Sequence, residues 1–411
     1  MKAKPRSCGS RRKIVKYVVI VGDGMADYPL PELGGKTPLQ AAEKPNMDWI
    51  ASHGKSGLMR TIPRGMEAGS DIAIMSILGY NPRRYHTGRG PLEAAALGVR
   101  LCERDIAFRC NLITEEDGVI KDYSGGHITT QEAKRLLRRV AARYGKVGEF
   151  YPGVSYRHLF VLRNAPPEAA RIRTTPPHDA LGKKVVSCLA SPEDNRVARL
   201  VNQMMLESRE ILSRDPVNLS RVKMGKNPAN MIWLWGQGVR PKMPSMREKF
   251  GIDGSVVSAV TVVKGVGICA GLQSVEVPGA TGYYDTSYEN KAKYALRELR
   301  SRDFVLVHVE APDEAGHEGN VEEKVRAIEN IDSRLIGRIM DGMNEEYKIA
   351  VMADHPTPIK VRTHTREPVP FSISSPAGDR DGVKRFDEDS AAGGGFGLME
   401  GHRFMRVMVG R

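Results

Sequence analysis

No stretch of this 411-residue chain approaches the roughly 20 consecutive apolar residues of a membrane-spanning helix, which argues against a helical membrane protein. Cysteine is sparse: Cys8, Cys102, Cys110, Cys188 and Cys269 are five in number and nowhere form a CxxC pair. A disulfide framework and a thiolate metal cluster are therefore not expected, and the residues read as reduced thiols of a cytoplasmic protein. There is no GxSxG elbow to mark a serine-hydrolase triad and no internal repeat, and Gly393-Gly-Gly395 is too short for an interdomain linker. Acid is what the N-terminus lacks, since Lys2, Lys4, Arg6, Arg11, Arg12, Lys13 and Lys16 have no carboxylate among them. The twin arginines invite an export reading, but the apolar run from Tyr17 to Val21 is cut off by Asp23, so export is not expected. Residues 1–15 read instead as a solvated, disordered basic tail. Setting those seven cations aside lowers the net charge from +13 to +6. No basic repeat interleaved with aromatics follows, so the remaining excess suits a small anionic substrate better than a nucleic acid. A basic nucleic-acid-binding protein stays as the non-enzymatic alternative.

What is present is ordinary globular material: 41% hydrophobic and 27% charged residues, with a mean hydropathy of −0.37. The length exceeds one usual core, which favours a large domain carrying a smaller one. Short β-branched runs at Val18–Ile20, Ser56–Arg60, Met231–Trp235, Val256–Val262, Phe304–Val309 and Lys348–Met352 alternate with helical patterns such as Lys291–Ser301 and Val321–Gly342. That alternation predicts an α/β fold, a mostly parallel sheet flanked by helices, with ligands at the carboxyl ends of strands. From 103 to 187 the rhythm breaks: strand-like pieces at Ile106–Ile113 and His158–Leu162 surround one clear helix, Thr130–Tyr144. This predicts a smaller α+β insertion domain, 103–187, in a core of 16–102 and 188–411. A helix over Pro192–Ser213 is expected to return the chain to the main sheet at Met231.

Four places carry chemistry. Val351-Met-Ala-Asp-His355 ends an apolar strand in two adjacent ligands, and His364 follows in a loop stiffened by Pro356 and Pro358. Asp313 and His317 are four apart, so one helical turn puts them on one face with a bite suited to a divalent metal. Asp23 closes Val18-Val-Ile-Val-Gly-Asp23, where it is either a ligand or the cap of a following helix. Ser70, in Gly69-Ser-Asp71, precedes a helical apolar stretch and is either an N-cap or a hydroxyl held at a helix N-terminus, where anions are favoured. Mixed carboxylate and imidazole donors suit Zn²⁺ or Mn²⁺ better than Ca²⁺, and a bound cation can acidify an alcohol into a nucleophile.

Further stretches carry a resemblance. They are Gly22-Asp-Gly-Met-Ala-Asp27, Leu33-Gly-Gly-Lys-Thr-Pro-Leu39, Leu78-Gly-Tyr-Asn-Pro82, Phe108-Arg-Cys-Asn111, Tyr156-Arg-His158, Pro176-Pro-His-Asp179, Pro278-Gly-Ala-Thr-Gly282, His308-Val-Glu-Ala-Pro-Asp-Glu-Ala-Gly-His317, Asp354-His-Pro-Thr-Pro358 and Arg362-Thr-His-Thr365. In this order, from about Lys16 onward, the chain resembles the archaeal-type cofactor-independent phosphoglycerate mutases of the alkaline phosphatase superfamily. The resemblance implies an alkaline-phosphatase-like core and two divalent metals (Mn²⁺, Zn²⁺ or Mg²⁺), without 2,3-bisphosphoglycerate. One metal would be held by Asp23, Ser70, Asp354 and His355, the other by Asp313, His317 and His364. It also implies transfer of the phosphoryl group from the 3-hydroxyl of phosphoglycerate to Ser70 and back to the 2-hydroxyl. A small phosphorylated carboxylate needs basic groups, for which Arg109, Arg157, His158, His178 and Lys264 are the candidates, while Asp122, His127, His158 and Asp179 are candidate proton shuttles.

One segment departs from the pattern. Lys121-Asp-Tyr-Ser-Gly-Gly-His-Ile-Thr-Thr-Gln-Glu132 is more similar to a bacterial branch of the family proposed to act as homoserine kinases. A homoserine phosphotransferase is therefore the alternative, and a phosphomonoesterase a third reading if water reaches phospho-Ser70. Neither membrane nor nucleic acid is expected as a partner, and the oligomeric state is left open.

Overall fold

A computed structural model describes residues 15–376 and 378–410. Of the basic tail expected over residues 1–15, all but the last residue lies outside the described residues. Lys16, counted above with the tail cations, is instead a buried strand residue whose Nζ donates to Arg302 O at 3.0 Å.

The described residues contain thirteen strands: β1 (Lys16–Gly22), β2 (Gly54–Arg60), β3 (Ile106–Glu116), β4 (Val119–Asp122), β5 (Glu149–Tyr151), β6 (Arg157–Leu162), β7 (Met231–Gly238), β8 (Gly254–Val257), β9 (Gln273–Val275), β10 (Phe304–Val309), β11 (Tyr347–Ala353), β12 (Val369–Ser374) and β13 (Gly397–Glu400). Chain contacts divide into two compact units. The first draws on Met1–Pro82, Pro244–Val260 and Ala270–Arg411; the second is Arg83–Met243 with Thr261–Cys269.

In the first unit eight strands form one sheet in the order β13-β2-β12-β11-β1-β10-β8-β9. β1 lies at its centre, parallel to both β10 and β11. Val18, Val19, Ile20 and Val21 are all fully buried, because a central parallel strand is covered on both faces, and so the sequence reads as an unbroken apolar run. The register pairs Gly22 with Val309 and with Ala353. The next residues, Asp23, Glu310 and Asp354, therefore leave three adjacent strands at one carboxyl edge. β12 is antiparallel to β11 and β2, and β13 joins β2 as a parallel edge strand. Neither is legible in the sequence: Pro370 interrupts the apolar pattern of β12, yet it lies one residue beyond the stretch paired with β11.

The second unit has its own five-stranded sheet, in which β3 pairs with β4, β6 and β7 and β5 pairs with β6, all antiparallel. Here the expectation needs correction. Met231 does not return the chain to the main sheet, because β7 pairs with β3 in the register Leu112 to Ile232. The helix Arg196–Ser213 packs on β7 and the helix Arg89–Ala96 on β3, so the contact-defined boundaries fall at Arg83 and Met243 rather than at 103 and 187. The run Val256–Val262 also splits. β8 stops at Val257, the Ser258 hydroxyl accepts from Val260 N at 3.0 Å, and a helix, Thr261–Cys269, begins. That helix lies against Arg89–Ala96 so closely that a Cβ on Gly265 would sit 2.1 Å from Leu92 O.

The helix expected over Thr130–Tyr144 is present with those bounds, started by a capping box of Thr129 and Glu132. The pattern over Val321–Gly342 is a helix broken by a π-type stretch, Ile331–Gly337. Inside that stretch buried Asp332 accepts from Met47 N at 2.7 Å and Asn46 N at 3.2 Å.

Candidate metal centre and nucleophile

Asp23 does not cap a helix. The chain turns at Gly24, whose φ is +60° and where a Cβ would lie 2.7 Å from Asp313 Cα and 2.6 Å from Thr357 Oγ1. Gly24 N and His355 N both donate to Asp354 Oδ1, at 3.1 and 2.8 Å, which fixes that carboxylate. Ser70 is the first residue of the helix Ser70–Ile77, with Gly69 in the cap position, so the serine is not the N-cap either. Its Oγ donates to Asp23 Oδ2 at 3.3 Å and lies 3.3 Å from His355 Nε2.

Asp313 and His317 share one face of the helix Ala311–Glu318, Oδ2 to Nε2 at 3.2 Å, and His364 Nε2 lies 3.4 Å from Asp313 Oδ1. The Nε2 atoms of His317 and His364 are 3.0 Å apart, too close for both to carry protons. Each ring has its other nitrogen against an oxygen: His317 Nδ1 at 3.0 Å from Arg362 O, His364 Nδ1 at 3.4 Å from Ala68 O, and His355 Nδ1 at 3.3 Å from Thr357 Oγ1. Anchoring Nδ1 in this way turns an Nε2 lone pair inward, the usual arrangement behind a metal-bound imidazole. Thr357 also donates to Asp313, tying the two halves of the cluster together.

The structure thus brings together all seven expected donors, but not in two separate sets. One ligand atom each from Asp23, Asp354 and His355 lies within a 4.8 Å span, and so do atoms of Asp313, His355 and His364, so His355 belongs to both groups. Buried Asp23 Oδ1 and Asp354 Oδ2 have no hydrogen-bond partner among the described residues. Desolvated carboxylate oxygens without donors are costly unless a cation faces them, so the residues fit a divalent metal. The titrations agree. Burial, and then the carboxylates of Asp354, Asp313 and Glu310, push Asp23 well above the usual range. Burial pushes Asp313 the same way, but its bonds to His317 and His364 outweigh that and hold it well below. Although burial opposes it, the bond to Asp313 lifts His317 to about 9, and burial lowers His355.

Sequence reasoning missed three supporting residues. Lys324 is fully buried and pairs with Asp27 Oδ2 at 2.7 Å while donating to Thr357 O at 2.9 Å; Asp27 in turn accepts from Ile359 N at 3.1 Å. The pair therefore ties the loop after β1 to the loop after β11. His308 and Glu310 lie inside a motif already quoted, and their i,i+2 spacing at the end of β10 was the overlooked signal.

The expected substrate groups all lie in the second unit. Arg109 stacks over the Trp235 ring at 4.6 Å, pairs with Glu93 at 3.6 Å, and is lowered by burial. Arg89, which sequence reasoning did not single out, is over the same ring at 5.8 Å, and His178 meets it edge-on at 5.5 Å. Arg157 is exposed and lies over Tyr156 at 5.0 Å. His158 is 4% exposed, an interior residue of β6, and Lys264 is on the separate helix Thr261–Cys269. Among the shuttle candidates, Asp122 ends β4 and accepts from Ser124 N, Ser124 Oγ, Gly126 N and Asn227 Nδ2. Burial raises it, but those bonds prevail and leave it lowered, which is poor for collecting protons. His127 and Asp179 are exposed.

Comparison with known proteins gives a consistent result. The family model described as 2,3-bisphosphoglycerate-independent phosphoglycerate mutase matches residues 51–218. The 2,3-bisphosphoglycerate-independent phosphoglycerate mutase 2 of Methanothermobacter thermautotrophicus is 52% identical over 396 residues, 96% of this chain and 97% of the relative. Among solved structures, a Pyrococcus horikoshii protein superposes with a TM-score of 0.84 at 32% identity, covering 97% of each chain. The cofactor-independent phosphoglycerate mutase of Thermoplasma acidophilum gives a TM-score of 0.66 at 31% identity, covering 96% of this chain and 99% of that one.

Proposed function

This chain belongs to the 2,3-bisphosphoglycerate-independent phosphoglycerate mutase family, and from that premise we propose that it interconverts 3- and 2-phosphoglycerate through a phosphoserine at Ser70. In this reading Asp23, Ser70, Asp354 and His355 hold one divalent cation, and Asp313, His317 and His364 hold the other, Mn²⁺, Zn²⁺ or Mg²⁺ all matching the donors. The observation that carries it is Ser70 Oγ at 3.3 Å from both Asp23 and His355, beside carboxylate oxygens that lack donors.

When bound, the cations supply positive charge that offsets the phosphate oxygens and acidifies the serine alcohol. The chain's own groups do the rest. Asp23 Oδ2 accepts the Ser70 proton in the resting state and so orients the hydroxyl. Ser70 stands at the start of its helix, a position that favours an incoming phosphate. The Oγ–P bond forms as the bond from phosphorus to the 3-hydroxyl oxygen breaks; the glycerate reorients, and the 2-hydroxyl takes the group back, regenerating Ser70. Keeping water away separates this from a phosphomonoesterase.

The glycerate carboxylate calls for guanidinium chemistry, for which Arg109 and Arg157 are the first choices, with His158, His178 and Lys264 as further candidates. Glycerate rather than homoserine is the acceptor in this reading, which is supported by the Methanothermobacter thermautotrophicus and Thermoplasma acidophilum proteins being named phosphoglycerate mutases. No helix among the described residues is long and apolar enough to cross a membrane, and the phosphorylated substrates are metabolites of the cytoplasm, where we place the enzyme.

The test is a coupled assay with 3-phosphoglycerate and Mn²⁺. Turnover is expected, abolished by a chelator and lowered by several orders of magnitude in Ser70→Ala. Full turnover in that variant would sink the phosphoserine; release of free phosphate, or phosphorylation of homoserine with 3-phosphoglycerate inert, would replace the mutase.

A further inference from the structure

In the second unit the helix Thr130–Tyr144 carries Lys134, Arg135, Arg138, Arg139 and Arg143 against a single carboxylate, Glu132. All five cations are exposed, while Ala133, Leu136, Leu137, Val140 and Tyr144 are buried on the opposite side. The cations thus fill the outward face of a helix about 22 Å long. Arg139 pairs with Asp215 at 3.3 Å and Arg143 with Glu207 at 3.7 Å, but Lys134, Arg135 and Arg138 have no side-chain partner among the described residues. This arrangement works against the helix. Lys134 with Arg138, Arg135 with Arg139, and Arg139 with Arg143 are like charges at i,i+4, each pair destabilising, whereas a face that serves solubility alone intersperses the two signs.

A second helix, Pro216–Lys223, lies alongside. Its buried Arg221 pairs with Glu132 at 3.2 Å, and Asp215, its N-cap, is the residue that meets Arg139, so contacts at both ends bracket the stretch between them. Arg135, three residues after Glu132 and four before Arg139, shares that edge of the first helix. Beside it the second helix shows solvent an apolar strip. Leu219 and Val222, with Met224 just beyond the helix end, are 50%, 58% and 56% exposed. Lys223 and Lys226 are exposed among them, and their side chains too have no partner among the described residues.

We propose that this two-helix face docks the protein reversibly on an anionic lipid surface. A row of uncompensated cations calls for a polyanion, and the aliphatic side chains set among them decide which kind. On a bilayer the cations meet headgroup phosphates while Leu219, Val222 and Met224 enter the boundary with the acyl chains. A nucleic acid would leave those three side chains in water, and neither helix exposes an aromatic ring on which a base could stack. Lying on a bilayer needs no spanning segment, so the docking departs from the sequence expectation of no membrane partner without the long apolar run that the chain lacks. Attachment led by charge is screened by salt, which makes it reversible.

The experiment is co-sedimentation of the full-length protein with vesicles of phosphatidylcholine, with and without phosphatidylglycerol, over a salt series. Two variants are compared with the wild type: the triple change Lys134→Gln, Arg135→Gln, Arg138→Gln, and the double change Leu219→Ser, Val222→Ser. Residues 1–15 are the same in all three proteins, so differences between them report on the helix face and not on the N-terminal cations. The wild type is expected to sediment with phosphatidylglycerol vesicles and to stay in solution with phosphatidylcholine alone. Loss of three cations should weaken binding about a hundred-fold, at roughly five-fold per cation near an anionic surface. The double variant should bind about ten-fold more weakly with its salt dependence unchanged, because it removes apolar insertion and leaves the charge. Circular dichroism checks that each variant folds; should one fail, the other decides. Equal binding by the wild type and a folded variant overturns the proposal, as does a wild type that ignores phosphatidylglycerol. Tighter binding to duplex RNA than to the vesicles, lost in the triple variant and kept in the double, would replace the lipid with a nucleic acid.

Discussion

The two units hold their functional side chains by different means. In the first, Asp23 and Asp354 sit just beyond the ends of adjacent parallel strands, Ser70 begins a helix, and each of His317, His355 and His364 has its Nδ1 against an oxygen. In the second, cationic side chains rest on aromatic faces, with Arg89, Arg109 and His178 around Trp235 and Arg157 over Tyr156. Backbone-fixed donors allow little adjustment and suit a reaction centre that must not vary. Ring-stacked guanidiniums keep some sliding freedom and suit recognition of a substrate that turns over within its site.

If that division is right, damage to the first unit removes chemistry and damage to the second changes affinity. The largest effect is expected for Asp354→Asn, which leaves the backbone donors of Gly24 and His355 facing an amide. Loss of kcat by about a thousand-fold or more, on the scale of deleting one preorganised electrostatic group, should come with a lost metal equivalent by mass spectrometry. A variant that keeps kcat and changes only KM would break the comparison.

Next in size is Lys324→Met. It strands Asp27 as an uncompensated charge in the interior of the first unit, which costs about 3–5 kcal/mol. Calorimetry should show the lower melting temperature, and Mn²⁺ should restore part of it, because the loop that Lys324 clamps carries Thr357, the residue that supports Asp313 and His355. An equal loss with no metal dependence would mean that the clamp is structural only.

Much of the first unit was legible in the sequence, and for a physical reason. Candidate donors at strand ends follow apolar runs, which singles out Asp354-His355 and also Asp23, for which a helix cap was the alternative, and i,i+4 spacing does the same for Asp313 and His317. What was not legible depends on partners remote in the chain. An apolar run such as Met231–Trp235 does not disclose which sheet it joins, and it joined β3. Lys324 reads as a surface helix cation until Asp27 is seen beside it. Trp235 and Arg89 lie 146 residues apart in the numbering and become a pair only in the folded second unit.

In the second unit His158 gives a smaller effect with a sign. Gly153 N donates to its Nδ1 at 3.0 Å, so the proton sits on Nε2, which is buried without a partner among the described residues. Burial lowers this histidine from 6.5 to about 4. The folded protein therefore binds its proton more weakly than the unfolded chain. The stabilising difference is complete above pH 6.5 and is lost as pH falls toward 4, by at most about 3–4 kcal/mol at about 1.4 kcal/mol per pH unit. Unfolding of the wild type at pH 7 and pH 4.5 should show this loss, and His158→Gln, which can still accept from Gly153, should show less of it. Equal acid sensitivity in both proteins would assign the loss to the carboxylates and imidazoles of the first unit.

The smallest expected effect is the sharpest probe of the comparison. Arg109→Lys keeps the charge but not the planar fork, and it weakens the stack on Trp235, a contact of about 1–2 kcal/mol when desolvated. KM for 3-phosphoglycerate should rise about ten-fold, with metal content unchanged and kcat within a few-fold of wild type, because the lost contact is made equally in ground and transition states. A fall in kcat at constant KM would instead show that Arg109 acts on the phosphoryl group in flight. The second unit would then share the chemistry, and the division between fixed donors that react and stacked cations that recognise would fail.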